Sequence, residues 1–266
     1  MHMHTFMQAS DNTICDRRGN AIIHHRKDIS CETLLTAISA EGAVLKASSR
    51  YVTRRVDGLV VKACSGGAVR GLLKRTLRRN RFRRGWLASL YLEQQGVSVP
   101  RAHGLIETER WGFVTASYLV MDYLDQTSNV ERFAAEMVQE GATENQIRDF
   151  LRDLALAIDT LREVGVFHRD LSGKNILTRD GKTFFFVDLE SVVPVKRYTP
   201  RMRYKNHVQL YDSFCDFLGD DVLEPFLSLM LPEDQDYATW SKIVRQGQTA
   251  RRSRQIAAWR KQGRSL

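Results

Sequence analysis

Asp170, Asn175 and Asp188 are the side chains on which chemistry can be built. Asp170 and Asn175 lie within Val166-Phe167-His168-Arg169-Asp170-Leu171-Ser172-Gly173-Lys174-Asn175-Ile176-Leu177. Beyond them, Asp180-Gly181 is a turn pair between two β-prone runs, Asn175 to Thr178 and Thr183 to Val187, which predicts a hairpin ending on Asp188. Such a hairpin folds Asp188 back over the loop that holds Asp170 and Asn175, gathering three oxygen ligands or acceptors. Phosphoryl transfer needs that set, because its loose transition state leaves the protein mainly positioning and charge neutralisation to supply. Asp170 is assigned to accept a hydrogen bond from the attacking hydroxyl. Asn175 and Asp188 are assigned as hard oxygen ligands for Mg²⁺. Lys174 is within reach of the transferred phosphate or of an acidic substrate, and His168 and Arg169 brace the loop.

The elements around these residues are readable in outline. Thr143-Glu144-Asn145-Gln146 has the form of a capping box, followed by an apolar stripe of Ile147, Phe150, Leu151, Leu154, Ile158 and Leu161 and a stop at Gly165. That helix delivers the chain to the Asp170 loop. Upstream, Val44 to Lys46, Arg50 to Val56 and Leu59 to Ala63 read as strands, the last two joined by Asp57-Gly58. Phe82, Trp86, Leu87, Leu90 and Tyr91 recur at helical spacing, and Ser117 to Met121 reads as a buried strand. The first forty residues are the least readable, with a helix predicted from Ser30 to Ala40. The pattern is α+β: a small β-rich part, a mainly helical part, and a boundary near Tyr123.

Composition narrows the function classes. A chain of 266 residues accommodates one catalytic unit of two lobes, and 43% hydrophobic and 27% charged residues describe a globular protein. No apolar run approaches the ~20 residues that cross a bilayer, and the start lacks the pattern of a secretory signal. Cys15, Cys31, Cys64 and Cys215 lie far apart without CxxC pairing, which argues against a disulfide framework and a zinc site and for a reducing cytoplasm. The net charge of +9 is concentrated: Gly66 to Arg84 and Tyr237 to Leu266 each carry eight basic residues and no acidic one. Such runs suit an anionic surface or ligand, or serve as solvated faces.

The His168 to Asn175 segment resembles the H-R-D-L-x-x-x-N catalytic loop of protein kinases, with Val187-Asp188-Leu189 replacing Asp-Phe-Gly. The resemblance implies a bilobal protein-kinase-like fold with a small β-rich N-lobe and a reduced, mainly helical C-lobe. It implies ATP as donor, Lys62 in Leu59-Val60-Val61-Lys62-Ala63 facing the α- and β-phosphates, and a hinge at Asp122-Tyr123-Leu124 whose backbone binds adenine. In place of a glycine-rich turn stands Lys46-Ala47-Ser48-Ser49-Arg50, where Ser48 and Ser49 would bring amides to the phosphates. No Asp or Glu occurs between Asp57 and Glu93, so the usual helix glutamate for Lys62 is missing and Glu93, late on its helix, is the substitute. No Ala-Pro-Glu follows Asp188.

These departures resemble the bacterial lipopolysaccharide core kinases, the Kdo/WaaP family. The likeness is carried by Val61-Lys62, Arg84-Gly85-Trp86, Gly96-Val97-Ser98-Val99-Pro100-Arg101, Tyr118-Leu119-Val120-Met121-Asp122-Tyr123, the Asp170 loop, Asp188-Leu189 and Lys205-Asn206-His207. It covers about residues 44 to 220 and implies three parts: an extension of unclear structure (1–43), a nucleotide-binding N-lobe (44–123) and a C-lobe with a basic arm (124–266). It further implies transfer of the γ-phosphate to a heptose or Kdo hydroxyl of lipid-linked core oligosaccharide. The enzyme would be a monomer, peripheral on the cytoplasmic face of the inner membrane, with no nucleic-acid partner. Ser191 to Lys205, free of acidic residues, would lie beside the acceptor. Two other readings use the same groups: an atypical protein Ser/Thr or Tyr kinase, and a nucleotide-binding pseudokinase.

Overall fold

The computed structural model describes residues 12–48, 50–65, 81–232 and 235–261. Ser49 and most of the first basic run (66–80) lie outside them. The chain divides into two compact units, Met1–Thr127 with Phe185–Val195, and Ser128–Phe184 with Lys196–Leu266.

The first unit contains β1 (Thr13–Arg18), β2 (Ala21–Arg26), α1 (Cys31–Ser39), β3 (Ala43–Ala47), β4 (Tyr51–Val56), β5 (Leu59–Ser65), α2 (Arg81–Gln94), β6 (Ala102–Arg110) and β7 (Phe113–Asp122). Its strands form one antiparallel sheet in the order β1-β2-β6-β7-β5-β4-β3. Asp57 and Gly58, at φ 43° and 79°, make the tight β4–β5 turn that strand twist favours. Alternation along β5 and β7 sends side chains to two faces. Val61 and Val120 meet Leu34 and Ala37 of α1, together with Ile23, Val56 and Ile106. Cys64, Leu119 and Met121 meet Phe82, Trp86 and Leu90 of α2. Lys62, between Val61 and Ala63, therefore shares the α2 face.

The stretch set apart as an extension supplies β1, β2 and α1 to this same sheet. Ser30 caps α1 by accepting from the amide of Thr33, where the sequence predicts the helix start. Gly104 admits α1, since a Cβ there would stand 2.4 Å from Leu34 Cδ1.

The second unit begins with β8 (Ser128–Asn129), α3 (Val130–Gln139), α4 (Glu144–Glu163), β9 (Val166–His168) and β10 (Ile176–Thr178). The capping box forms as its sequence predicts: Gln146 N–H donates to Thr143 Oγ1, and the Thr143 amide donates to Gln146 Oε1 at 2.7 Å. Gly165, at φ 71°, turns the chain after α4. In the Asp180-Gly181 turn, Asp180 Oδ1 accepts from the amides of Lys182 and Thr183. The chain leaves this unit within β11 (Phe184–Phe186), passes through β12 (Val192–Pro194) in the first unit, and returns for α5 (Pro200–Phe214), α6 (Asp220–Ser228) and α7 (Tyr237–Lys261). The division thus falls at Thr127 rather than at Tyr123, and Asp188 belongs to the first unit.

Candidate active site

The Asp170 loop is held in the second unit by one polar face of α5. Asn206 Nδ2 donates to the carbonyl of His168 at 2.8 Å. Gln209 Nε2 donates to Asp170 Oδ1 and to the Arg169 carbonyl, both at 3.2 Å, while Gln209 Oε1 accepts from the Leu171 amide at 3.0 Å. Ser213 Oγ accepts from the Gly173 amide at 2.8 Å. Residues 206, 209 and 213 lie three and four apart, on one face of a helix, and all three are buried. Buried polar groups of this kind must be paired, and the loop backbone supplies the partners.

Within the loop, Asn175 Nδ2 donates to the Asp170 carbonyl at 2.9 Å and to Asp170 Oδ2 at 3.2 Å. Asp170 and Asn175 are therefore brought together as the sequence requires. His168, also buried, accepts the Asp170 amide on Nδ1 at 3.2 Å. Lys174 is mostly exposed, with Nζ 3.7 Å from Glu131 Oε1. Burial pushes the Glu131 carboxyl upward, against the opposing pull of Lys174. Burial likewise lowers Lys205, while Asp170 pulls it the other way.

In the first unit Lys62 has a partner that the sequence did not offer. Its Nζ lies 2.9 and 3.0 Å from the two oxygens of Glu190, whose side chain is 2% exposed. Gly85 of α2 makes room, because a Cβ there would stand 3.0 Å from Glu190 Cγ and 3.2 Å from Leu119 Cδ2. Glu93, the expected substitute, pairs instead with Arg26 and lies 3.9 Å from Arg101. Asp188 adopts the left-handed conformation at φ 54° and ψ 45°, which Asp tolerates better than most residues. Its Oδ2 accepts from Ser191 Oγ at 2.8 Å and its Oδ1 lies 3.4 Å from Arg81 Nη2.

At the residues assigned to nucleotide, several backbone amides already have partners. The Ser48 amide donates to the Tyr51 carbonyl at 2.8 Å and so closes the β3–β4 turn rather than standing free for phosphate. Ser49 lies outside the described residues. The Asp122 amide donates to the Arg101 carbonyl and the Tyr123 amide to the Gly58 carbonyl, at 2.9 and 2.8 Å, so both amides are engaged within the first unit. The Asp122 carboxylate lies 2.6 Å from His103 Nε2, and Arg55 covers the Tyr123 ring at 4.1 Å.

The residues assigned to Mg²⁺ suit a hard cation. Asn175 commits its amide nitrogen to Asp170, leaving its carbonyl oxygen as the atom available to a metal. The Asp188 carboxylate is partly exposed and already draws a cation, Arg81.

Residues 41–243 match the Lipopolysaccharide kinase (Kdo/WaaP) family. The chain belongs to this family. Among curated relatives, Ribosomal protein S6 kinase alpha-3 of Mus musculus and of Homo sapiens are each 30% identical over 125 residues, 44% of this chain and 16% of theirs. Ribosomal protein S6 kinase alpha-2 of Mus musculus is 31% identical over 149 residues, 56% of this chain and 18% of its own. The chain thus spans less than a fifth of the curated relatives it matches. Among solved structures, WaaP in complex with acyl carrier protein aligns with TM-score 0.59 and 20% identity over 85% of this chain and 92% of that one. WbdD aligns at 0.51 and 13% identity over 78% and 46%. The chain has the protein-kinase-like α+β fold.

Three residues around these sites escaped sequence reasoning: Glu190, Gln209 and Ser213. Glu190 follows Asp188 so closely that it reads as part of the same motif. Gln209 and Ser213 carry a signal of their own, polar residues at helical spacing from Asn206.

Proposed function

We propose that the chain transfers the γ-phosphate of ATP to a hydroxyl of a lipopolysaccharide inner-core sugar, a heptose or Kdo. Asp170, oriented by Gln209 and Asn175, accepts the hydrogen bond of the attacking hydroxyl. Lys62, set by Glu190, holds the α- and β-phosphates. Asn175 and Asp188 would hold Mg²⁺, which neutralises phosphate charge when bound. Lys174, exposed beside the loop, reaches toward the transferred phosphate.

One observation carries the acceptor assignment. The second unit contains a cavity of about 710 Å³ between α5 and α7, lined by Phe167, Met202, Val208 and the cations Arg201, Lys205, Arg251 and Arg254, without a carboxylate. Gln209 lines it too, and Gln209 donates to Asp170 Oδ1. A site with apolar walls and several cations beside the base suits an anionic sugar attached to lipid. Arg201 and Lys205 come from the acid-free stretch expected near the acceptor. In this reading the enzyme works at the cytoplasmic face of the inner membrane. Among the described residues no helix is long and apolar enough to cross a membrane.

The test is ATP consumption with mass spectrometry of products, using deacylated core oligosaccharide and a generic protein substrate in parallel. Phosphate on the oligosaccharide is the expected result. Phosphate on the protein alone would favour the protein-kinase reading, to which the S6 kinase matches lend support. Nucleotide binding without turnover on either would favour the pseudokinase.

A further inference from the structure

Asp16 of β1, His25 of β2 and Cys31 at the start of α1 converge in the first unit, far in sequence from the phosphotransfer residues. Asp16 Oδ2 lies 3.1 Å from both His25 Nε2 and Cys31 Sγ, and Cys31 Sγ lies 3.4 Å from His25 Nε2. His25 and Cys31 are buried, while Asp16 is partly open to solvent.

The arrangement is not a nucleophilic relay. A relay places the thiol on one imidazole nitrogen and the carboxylate on the other. Here both face Nε2. The other nitrogen, Nδ1, lies 2.8 and 2.9 Å from the carbonyls of Arg26 and Ile29. Carbonyls only accept, so Nδ1 carries the hydrogen, and Nε2 is the nitrogen left to face an oxygen of Asp16. Two acceptors at 3.1 Å need a proton or a metal cation between them, and the test below separates the two. A backbone-anchored Nδ1–H is also how metal-ligating histidines are commonly oriented.

We infer that Asp16, His25 and Cys31 form a binding site for a borderline divalent cation of the Zn²⁺ class, with the fourth position open to water on the Asp16 side. Bonds of about 2.0–2.3 Å from zinc to O, N and S place tetrahedral ligands roughly 3.3–3.6 Å apart, close to the separations observed. Thiolate and imidazole together select zinc-like ions over Mg²⁺ or Ca²⁺. Binding releases the Cys31 thiol proton to solvent. The site's work is structural: β1 is an edge strand whose sheet partner is β2, and the cation ties both strands to α1. Cysteine spacing in the sequence argued against a zinc site, because two of these three ligands are not cysteines.

The test uses the full chain, stripped by chelator and titrated with Co²⁺ and then Zn²⁺. One equivalent of Co²⁺ should give a thiolate-to-cobalt charge-transfer band that Zn²⁺ abolishes. Cys31→Ser and His25→Asn should lose the band, Asp16→Asn should weaken binding ~10-fold or more, and Cys15→Ser should retain it. A His2→Ala, His4→Ala double variant should also retain it, which separates the site from the histidines at the chain start. Zn²⁺ should raise the melting temperature of the wild type but not of Cys31→Ser. A wild-type chain without the band, or a band that survives Cys31→Ser, would overturn the inference and leave a hydrogen-bonded trio only; the wild-type result stands even if a variant fails to fold.

Discussion

Glu190 is buried and both its oxygens meet the Lys62 ammonium, so each side chain fixes the other's position. Replacing one partner of a buried ion pair leaves the other uncompensated, at a cost of about 3 kcal/mol. Glu190→Gln should therefore lower stability by about that amount and raise KM for ATP, as measured by denaturant unfolding and steady-state kinetics. Lys62→Ala should reduce turnover similarly, and the double variant should show less than the sum of the two losses, because both act through one ammonium group. Asp170→Asn is nearly isosteric, so ATP binding should persist by calorimetry while kcat falls ~10²-fold or more. If kcat survives, Asp170 is a scaffold residue and the pseudokinase reading leads. At this scale the sequence was informative where two residues share one short loop, as Asp170 and Asn175 do, and the structure joins them by hydrogen bonds. It was silent where a partner arrives by folding: nothing near Lys62 in the chain indicates Glu190, and Gly85 acquires its meaning only from the carboxylate packed against it.

Helix α5 is the element that converts chain into site. Gln209→Leu removes the acceptor of the Leu171 amide and the donor to Asp170, which should cost about 1–3 kcal/mol and lower kcat more than it raises KM. The same helix presents His207 to α7, where its Nδ1 accepts from Trp240 Nε1 at 2.9 Å. Burial, with Arg203 acting in the same direction, pulls His207 from 6.5 down to about 3. The folded state keeps it neutral while the unfolded chain takes up a proton below about pH 6.5, so stability falls with acidification through that window toward pH 3, by up to about 1.4 kcal/mol per pH unit. His207→Asn keeps an acceptor for Trp240 and should flatten the decline of melting temperature between pH 6.5 and 4.5. An unchanged slope would assign the acid sensitivity to other groups. Helix α4 was legible from its cap and stripe. The strands β1 and β2 were not, because their inward positions include His25 and Arg26, which are buried through pairing rather than through apolar character.

Across the whole molecule, a net charge of +9 overstates the free positive surface. In α7, Arg245 pairs with Asp220 and Glu224, Arg251 with Asp212, and Arg252 with Asp212 and Asp216. Gly247 packs so closely on α5 that a Cβ would meet Tyr204 Oη at 2.2 Å. Deleting the arm from Gln246 would thus unseat the second unit, and membrane binding is better probed by reversing the exposed Lys242 and Arg260. Lys242→Glu with Arg260→Glu should weaken binding to anionic vesicles at low salt while leaving kcat on a soluble acceptor unchanged. Equal vesicle binding would make those charges a matter of solubility.

Glu190 and Asp188 share one short turn, Asp188 capping the 3₁₀ helix Leu189–Ser191 and receiving the Ser191 hydroxyl. In protein kinases the lysine's glutamate rides on a separate helix, and swinging that helix in or out turns catalysis on or off. Here the lysine's anchor and Asp188, the aspartate proposed for the metal, cannot be moved apart without unwinding the turn itself. Under the proposed function, the Lys62–Glu190 pair is held by a turn rather than by a mobile helix, so its formation should need no activating modification. Protein treated with phosphatase should turn over at the same rate as untreated protein; a drop would reveal a hidden activation step.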